Sequence, residues 1–467
     1  MRPRSLDQVA AAVDGSVRGD GEVTVRGAAV DSRLAGGADL FVALPGEQAD
    51  GHDFVADALA HGASAAMVRR GWRGEAEPTV RVADPGAALL RLARDERSAL
   101  SAQVVGITGS TGKTMTKDLT AAVLGRRFRV VASPASFNNE VGLPLTLLRA
   151  DEGTEAVVCE MGSRGPGQIR LLCEVASPTV GVVTNVGEAH MELFGSRDVL
   201  RDAKAELPEA LPAGGVAVLN ADDPVVRSYA DRTRARVVLF GTARAADVSA
   251  ESVDLHRGTG QAGFVLRTPD GSAPVLLSVP GEHMVGNALA AAAVGWVLGV
   301  PVESSAEALG AAPMTGGRMQ TAEAGGVRIV NDAYNANPTS TAAALRAIRW
   351  MAGSGRCIAV LGQMAELGPI ADEEHERIGE LVARLGIDVL VVVGPDARLI
   401  GVAARREGIP PDAVVACDDV VQATKAVLSI VRPGDLVLVK ASRVDRLERV
   451  ADALQAALDR PAKEAAR

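Results

Sequence analysis

The sequence has few cysteines and no long apolar run, and each absence excludes a class of protein. Its 467 residues include four cysteines without Cys-x-x-Cys spacing, which predicts buried thiols in a reducing compartment. No apolar run approaches the ~20 residues that cross a bilayer, and residues 1–8 lack the apolar core of a signal peptide. We therefore expect a cytoplasmic protein that is neither exported nor inserted into a membrane.

Lysine is also scarce, because only six of the 49 basic residues are lysine. A chain that prefers arginine this strongly makes each lysine within a motif a candidate for a role that needs an amine. GC-rich coding explains the scarcity equally well, but it does not explain why Lys113 and Lys204 lie in site-like sequence. The net charge of −9 argues against a large nucleic-acid surface, so we expect no nucleic-acid partner.

The length exceeds what one hydrophobic core supports and predicts three α/β domains, at residues 1–100, 101–313 and 314–467. In the middle domain, apolar strands alternate with helices as in a doubly wound sheet. Its predicted strands are 104–108, 156–160, 180–184, 216–220 and 237–240, and its predicted helices are 115–124, 198–207 and 287–298. The alternation restarts with predicted strands 327–330, 357–361, 389–393, 413–416 and 436–440. A Gly-Gly linker at 316–317 separates the two.

The most informative stretch is the glycine-rich segment 106–114, Gly-Ile-Thr-Gly-Ser-Thr-Gly-Lys-Thr, directly after an apolar strand. Glycines allow backbone N–H groups to approach phosphate oxygens, and the following helix presents its positive end to them. Lys113 would reach the β- and γ-phosphates, and Thr114 would hold Mg²⁺. The spacing departs by one residue from the strict P-loop pattern, and a plain turn is the alternative interpretation. The segment nevertheless predicts a nucleotide site that includes Thr108, Gly109, Ser110, Thr111 and Gly112.

Polar residues follow the next predicted strands at the same edge of the sheet. Glu160 ends one strand and His190 follows another, and the carboxyl ends of parallel strands share one crevice. A carboxylate there suits Mg²⁺, which prefers oxygen ligands. A strand-end glutamate in solvent and a structural histidine are the plainer alternatives. Lys204, in a predicted helix, would be an ordinary solvated lysine on its own.

Taken together, segment 106–114, Glu160 and the Asn185…His190…Lys204 segment resemble the Mur ligase family, over essentially the whole chain. The resemblance implies a three-domain architecture with a central P-loop-type sheet and a C-terminal Rossmann-like domain. It also implies ATP and Mg²⁺ as cofactors, with His190 and Lys204 as catalytic residues and metal ligands. In that family the lysine is commonly carbamylated, which gives an oxygen ligand for a second Mg²⁺.

The same resemblance assigns further residues. It places Asn138, Asn287, Arg318, Asp332 and Asn335 at the nucleotide. In the N-terminal domain it places Ser32, Arg33, Gly46 and His52 at the UDP-sugar. In the C-terminal domain it places Met364, Glu366, Leu367 and His375 at an incoming dipeptide. The segment 439–443 departs from the family pattern, because Ala441 stands where a glycine is expected.

The run 331–338, Asn-Asp-Ala-Tyr-Asn-Ala-Asn-Pro, resembles the branch that uses UDP-N-acetylmuramoyl-tripeptide and D-alanyl-D-alanine. That branch implies a monomeric enzyme and an acyl-phosphate intermediate. One alternative is a sibling ligase that adds a single amino acid, either the third-residue Mur ligase or folylpolyglutamate synthase. A more distant alternative is a P-loop switch ATPase, but such proteins usually carry an aspartate where Glu160 stands.

Overall fold

The N-terminal domain is a small α/β layer. The computed structural model describes residues 1–46, 49–187 and 191–459. Strands β2, β7, β6, β5 and β4 form one sheet, in that order, in which only the β2–β7 pair is antiparallel. Strands β1 and β3 form a separate antiparallel pair. The elements are β1 (Arg4–Ser5), α1 (Leu6–Val13), β2 (Ser16–Arg18), β3 (Thr24–Val25), β4 (Gly27–Ala29), β5 (Asp39–Val42), α2 (Val55–Ala60), β6 (Ala65–Arg69), β7 (Thr79–Val82) and α3 (Pro85–Ala99).

The central domain is built on a nine-stranded sheet of order β16-β15-β14-β13-β12-β11-β8-β10-β9. Strands β8 to β14 run parallel, and β14, β15 and β16 form antiparallel pairs. The strands are β8 (Gln103–Thr108), β9 (Val130–Ala132), β10 (Ala156–Glu160), β11 (Val180–Val183), β12 (Val216–Asn220), β13 (Arg236–Gly241), β14 (Val248–Leu255), β15 (Gln261–Thr268) and β16 (Gly271–Pro280). The helices are α4 (Lys113–Leu124), α5 (Gly142–Leu147), α6 (Gln168–Ala176), α7 (Met191–Phe194), α8 (Arg197–Ala210), α9 (Pro224–Ser228), α10 (Met284–Val297) and α11 (Val302–Ala311).

The C-terminal domain has a six-stranded sheet of order β17-β18-β22-β19-β20-β21, parallel except for β17. Helices between parallel strands make it Rossmann-like. Its strands are β17 (Gln320–Ala324), β18 (Val327–Asn331), β19 (Cys357–Leu361), β20 (Val389–Val393), β21 (Val414–Cys417) and β22 (Leu436–Lys440). Its helices are α12 (Pro338–Ala352), α13 (Ala371–Arg384), α14 (Arg398–Arg406), α15 (Val420–Ile430) and α16 (Glu448–Leu458).

The predicted α/β class and three-domain architecture are confirmed, and the predicted strands recur with ends shifted by a residue or so. All three helices predicted in the middle domain begin earlier than predicted: α4 begins at Lys113, directly after Gly112, α8 begins at Arg197, and α10 begins at Met284. Strands β14 to β16 and helix α11 were not predicted. In β16 every second side chain is buried, which is the pattern of a strand that covers a core on one face.

Strand β8 lies at the point where the order of the central sheet reverses. Its neighbours β10 and β11 continue the chain in opposite directions across the sheet, and crevices for ligands form at such points. The register pairs Ile107 with Glu160 and Thr108 with Val183, so the three strands end side by side. The glycine-rich segment, Glu160 and the loop after β11 therefore share one edge.

Candidate functional site

The turn between β8 and α4 has a backbone that only glycine adopts readily. Gly109 has φ +146° and Gly112 has φ +80°, which are values that L side chains rarely take. A Cβ at Gly109 would collide with Thr184, and one at Gly112 would collide with Asn287. The two glycines therefore let the turn pass close to its neighbours and bring the first turn of α4, whose N–H groups suit an anion, to the edge of the sheet; we call this turn and the start of α4 the cradle.

The loop after β11 fixes the shape of this turn. Asn185 accepts hydrogen bonds from the N–H of Thr111 (2.9 Å, at Oδ1) and from the N–H of Ser110 (2.9 Å, at its carbonyl oxygen). The Ser110 hydroxyl donates to the Gly187 carbonyl and accepts from the Gly187 N–H, at 3.1 and 2.9 Å. These four hydrogen bonds tie the turn to the loop after β11, and they pair the N–H groups of Ser110 and Thr111 within the protein.

Lys113 folds back over the turn. Its Nζ donates to the carbonyl oxygens of Gly109 (2.7 Å) and Ser110 (3.3 Å). Burial lowers the pKa of Lys113, and the nearby Glu160 carboxylate opposes that effect. The amine is thus held where a phosphate in the cradle would meet it.

Thr114 and Glu160 supply hard oxygen donors beside the cradle. Thr114 Oγ1 donates to Glu160 Oε2 at 2.8 Å, and Asn138 Nδ2 donates to Glu160 Oε1 at 2.8 Å. The glutamate is 1% exposed. A hydroxyl and a carboxylate in this position fit Mg²⁺ beside a triphosphate. Within the described part of the chain, no group of three or more His, Cys, Asp or Glu side chains is placed to hold a metal ion.

Lys204 is the second amine of the site, and it is 1% exposed. Its Nζ donates to Ser163 Oγ at 3.1 Å and lies 5.8 Å from the centre of the Phe194 ring. Burial, followed by the charge of Lys113, holds the pKa of Lys204 well below its usual value. His190 lies outside the described residues.

The C-terminal domain forms the opposite wall. Asp332 accepts from Lys440 Nζ at 2.5 Å and from the Met319 N–H at 3.0 Å. Lys440 also donates to the Asn335 carbonyl at 3.0 Å, and the Asn335 side chain is exposed in the cleft. Asn287 comes from α10, is 8% exposed and accepts from the Thr116 hydroxyl at 3.3 Å.

Arg318 follows the linker and reaches back to the central domain, where its Nη2 donates to Ser136 Oγ at 2.9 Å. The linker itself is tied to the helix behind the cradle, because the Thr315 N–H donates to Asp118 Oδ2 at 2.8 Å. The walls enclose a cleft of about 720 Å³. Cleft residues that the sequence analysis did not assign to the site include Ser136 and Ser163, and also Tyr334, Lys440 and Arg443, which lie in the quoted runs 331–338 and 439–443. The scarcity of lysine was the signal that could have found Lys440.

The residues predicted at the UDP-sugar lie apart from this cleft, in the N-terminal domain. Arg33 is exposed, and its guanidinium lowers the pKa of Asp31 to about 2 through hydrogen bonds. His52 is buried; its Nε2 accepts from the Arg69 N–H at 3.0 Å and its Nδ1 lies 2.6 Å from Asp50 Oδ1. Ser32 is half-buried and Gly46 is exposed. His52 therefore braces the loop that carries Gly46.

The residues predicted at the dipeptide divide into two groups. Glu366 lines the cleft, and its Oε1 lies 3.6 Å from Arg164 Nη2 of the central domain. Met364, Leu367 and His375 are buried at 3% exposure or less. His375 Nε2 accepts from the Met364 N–H at 2.9 Å, so its Nδ1 donates to the Ala371 carbonyl at 2.7 Å. These three buried side chains therefore support the segment that carries Glu366 and do not line the cleft.

Ala441, which departs from the family pattern, is fully buried beside Gly362. A Cβ built on Gly362 would lie 2.7 Å from the Ala441 methyl. The close approach therefore occurs here through the glycine at 362 rather than at 441.

A phosphate cradle at the switch point of a parallel sheet, faced by a Rossmann-like domain across a polar cleft, defines a nucleotide-dependent enzyme. Three family descriptions match: the Mur ligase family catalytic domain at 24–96, the Mur ligase middle domain at 107–295, and the Mur ligase glutamate ligase domain at 317–443. The chain belongs to the Mur ligase family.

Individual relatives agree along most of the chain. It is 44% identical over 468 residues to the UDP-N-acetylmuramoyl-tripeptide–D-alanyl-D-alanine ligase of Mycobacterium bovis, covering 91% of each. It is similar to the crystal structure of MurF from Acinetobacter baumannii, with 30% identity, a TM-score of 0.86 and coverage of 97% and 99%. MurF from Thermotoga maritima in complex with ADP matches with 32% identity, a TM-score of 0.80 and coverage of 93% and 98%. Of the helices in the described ranges, none has the length and apolar character needed to cross a membrane.

Proposed function

We propose that the chain joins D-alanyl-D-alanine to UDP-N-acetylmuramoyl-tripeptide at the expense of ATP, in the synthesis of peptidoglycan precursors. The name of the M. bovis relative, at 44% identity, supports this substrate pair, and the ADP in the T. maritima structure supports the nucleotide. One observation carries the proposal: the cradle, the Glu160 carboxylate and the two amines of Lys113 and Lys204 surround one edge of the central sheet.

The nucleotide in this proposal lies with its phosphates on segment 109–114. Lys113 binds the β- and γ-phosphates, and Asn287, Arg318, Asp332 and Asn335 line the rest of its path. Thr114 and Glu160 would hold Mg²⁺, which neutralises charge on the phosphate oxygens. Asn138 orients Glu160 through the hydrogen bond at 2.8 Å.

Lys204 in this proposal is carbamylated. Burial lowers the pKa of Lys204 and so favours its uncharged form, and only a neutral amine adds CO₂ to give a carbamate. Ser163, at 3.1 Å from Nζ, would hold the resulting group in place. Together with the family position of His190, this gives oxygen and nitrogen donors for a second metal ion.

In the reaction, the terminal carboxylate of the tripeptide attacks the γ-phosphate, and ADP leaves, so that the acid becomes an acyl phosphate. The neutral amine of D-alanyl-D-alanine then attacks the acyl carbon, and phosphate departs as the amide forms. Lys113 and the N–H groups of the turn stabilise the charge that spreads over the transferred phosphoryl group. Glu366 is in position to meet the dipeptide from the C-terminal domain.

Water must stay away from the acyl phosphate, because it would hydrolyse the intermediate. The linker before Arg318 carries a glycine at φ +73°, Gly317, and offers a pivot for the C-terminal domain. We propose that this domain closes over the cleft once the dipeptide is bound. Free, buried cysteines are consistent with a cytoplasmic enzyme, and we propose that it acts there as a monomer.

The test is a ligation assay with each acceptor in parallel: D-alanyl-D-alanine, diaminopimelate or lysine, and glutamate. The chain, ATP and Mg²⁺ are incubated with the acceptor and its matching UDP-sugar-peptide or folate substrate, and products are identified by mass spectrometry. We expect an amide product with the dipeptide alone. Amide formation with a single amino acid would assign a sibling activity, and ADP release without any amide would favour the switch ATPase.

A further inference from the structure

Tyr334 presents its ring to two guanidinium groups at the mouth of the cleft. The Cζ of Arg318 lies 4.1 Å from the ring centre, and the Cζ of Arg443 lies 5.7 Å from it. Both distances are within the ~6 Å over which a cation is attracted to an aromatic face. The shorter one is close contact between the guanidinium and the ring.

Arg318 has little else to hold it. Within the described residues it forms no ion pair, its buried Nε has no hydrogen-bond partner, and its Nη2 makes the bond to Ser136. Because no carboxylate neutralises this guanidinium, its positive charge is available to an anionic ligand. Its direction must therefore be fixed by other contacts, and the Tyr334 ring lies directly against it.

Through its contact with Ser136, Arg318 is connected to the oxygen donors beside the cradle. Ser136 Oγ lies 3.2 Å from Thr114 Oγ1, which donates to Glu160. A chain of polar contacts therefore runs from the C-terminal domain, across the linker, to the oxygen donors beside the cradle. The Tyr334 N–H donates to the Gly317 carbonyl at 3.1 Å, which ties the ring to the segment that carries Arg318.

We propose that Tyr334 is a positioning residue: the face of its ring aims the Arg318 guanidinium at the polyphosphate of the bound nucleotide. The proposal rests on the nucleotide site described under the proposed function. It uses the ring and not the hydroxyl, since Tyr334 Oη forms no hydrogen bond within the described ranges.

The experiment compares Tyr334→Phe, Tyr334→Leu, Arg318→Met and the Tyr334→Leu/Arg318→Met double variant. Dissociation constants for ATP are measured by calorimetry, and kcat and KM by the ligation assay. We expect Tyr334→Phe to match the wild type, and Tyr334→Leu to lose about tenfold in kcat/KM for ATP. Arg318→Met should lose about a hundredfold, and the double variant no more than Arg318→Met alone.

Two results would overturn the proposal. Equal losses in the Phe and Leu variants would show that the hydroxyl matters, and multiplicative losses in the double variant would show that Tyr334 acts without Arg318. If the Leu variant does not fold, Tyr334→Met, which has a flexible apolar side chain without a ring, replaces it. A wild-type protein that binds ATP but forms no dipeptide product would refute the proposed function, while the ATP dissociation constants would still decide the role of Tyr334.

Discussion

Two buried lysines, one in the central domain and one in the C-terminal domain, have different surroundings. Lys204 of α8 is 1% exposed and meets a serine hydroxyl and an aromatic ring, whereas Lys440 at the end of β22 is 2% exposed and is paired with Asp332. Lys440 forms a short ion pair that ties β22 to Asp332. Burial instead lowers the pKa of Lys204, and the charge of the nearby Glu206 carboxylate opposes that shift. Lys440 thus connects two parts of the C-terminal domain, whereas the role we propose for Lys204 is chemical.

A third lysine sharpens this comparison and has the largest expected effect. Lys113 is only half-buried and reaches over the cradle. Its replacement therefore removes a positive charge that would bind the ligand, and we expect little effect on folding. We expect Lys113→Ala to lower kcat by at least about a thousandfold. The measurement is amide formation by mass spectrometry, with the thermal unfolding midpoint as the control for folding. Normal turnover in this variant would refute the assignment of the cradle.

Lys204→Met tests the chemical side of the comparison. The variant keeps the volume of the side chain but cannot be carbamylated, and we expect it to lose about a hundredfold in kcat. In ¹³C-bicarbonate, the wild type should show a carbamate signal by NMR and the variant should show none. A wild type without that signal would show that Lys204 is not carbamylated.

The pH dependence of the free energy of unfolding tests the burial of Lys204. Because burial lowers the pKa of Lys204 in the folded state, the unfolded chain binds more protons between that lowered pKa and the usual lysine value of 10.5. The free energy of unfolding should therefore rise with pH across that interval through this group. In CO₂-free buffer, Lys204→Met should flatten this rise, as measured by denaturant unfolding. An unchanged slope would mean that Lys204 is charged in the fold.

Lys440→Met should act mainly on stability. Removing one partner of a buried ion pair leaves Asp332 without its counter-charge, which costs about 3 kcal/mol in the free energy of unfolding. The double variant with Asp332→Asn should recover much of that loss. Lys425, which is exposed on α15, offers the matched control, and its replacement by Ala should change stability by less than about 0.5 kcal/mol. A similarly small effect of Lys440→Met would show that the ion pair with Asp332 does not stabilise the fold.

The parts of the site that are local in sequence were predictable. The turn 109–112 and Glu160 follow from a glycine pattern and from a strand end, since parallel strands deliver their carboxyl ends to one edge. Contacts between distant segments were not. Arg318 meets Ser136 across 182 residues, and no local pattern reports such a pair. Likewise, the segment 364–375 has a recognisable motif, but only the packing distinguishes Glu366, in the cleft, from His375, beneath it.

The hydrogen bond between Asp118 and Thr315 has a mechanical consequence. Helix α4 begins at Lys113 and Thr114, beside the glycine-rich turn, and Asp118 lies about one and a half turns further along. The linker that leads into the C-terminal domain is therefore attached to the same helix whose first turn borders the proposed phosphate site. We expect a displacement of that first turn to be transmitted to the linker, so that nucleotide binding would change the orientation of the C-terminal domain.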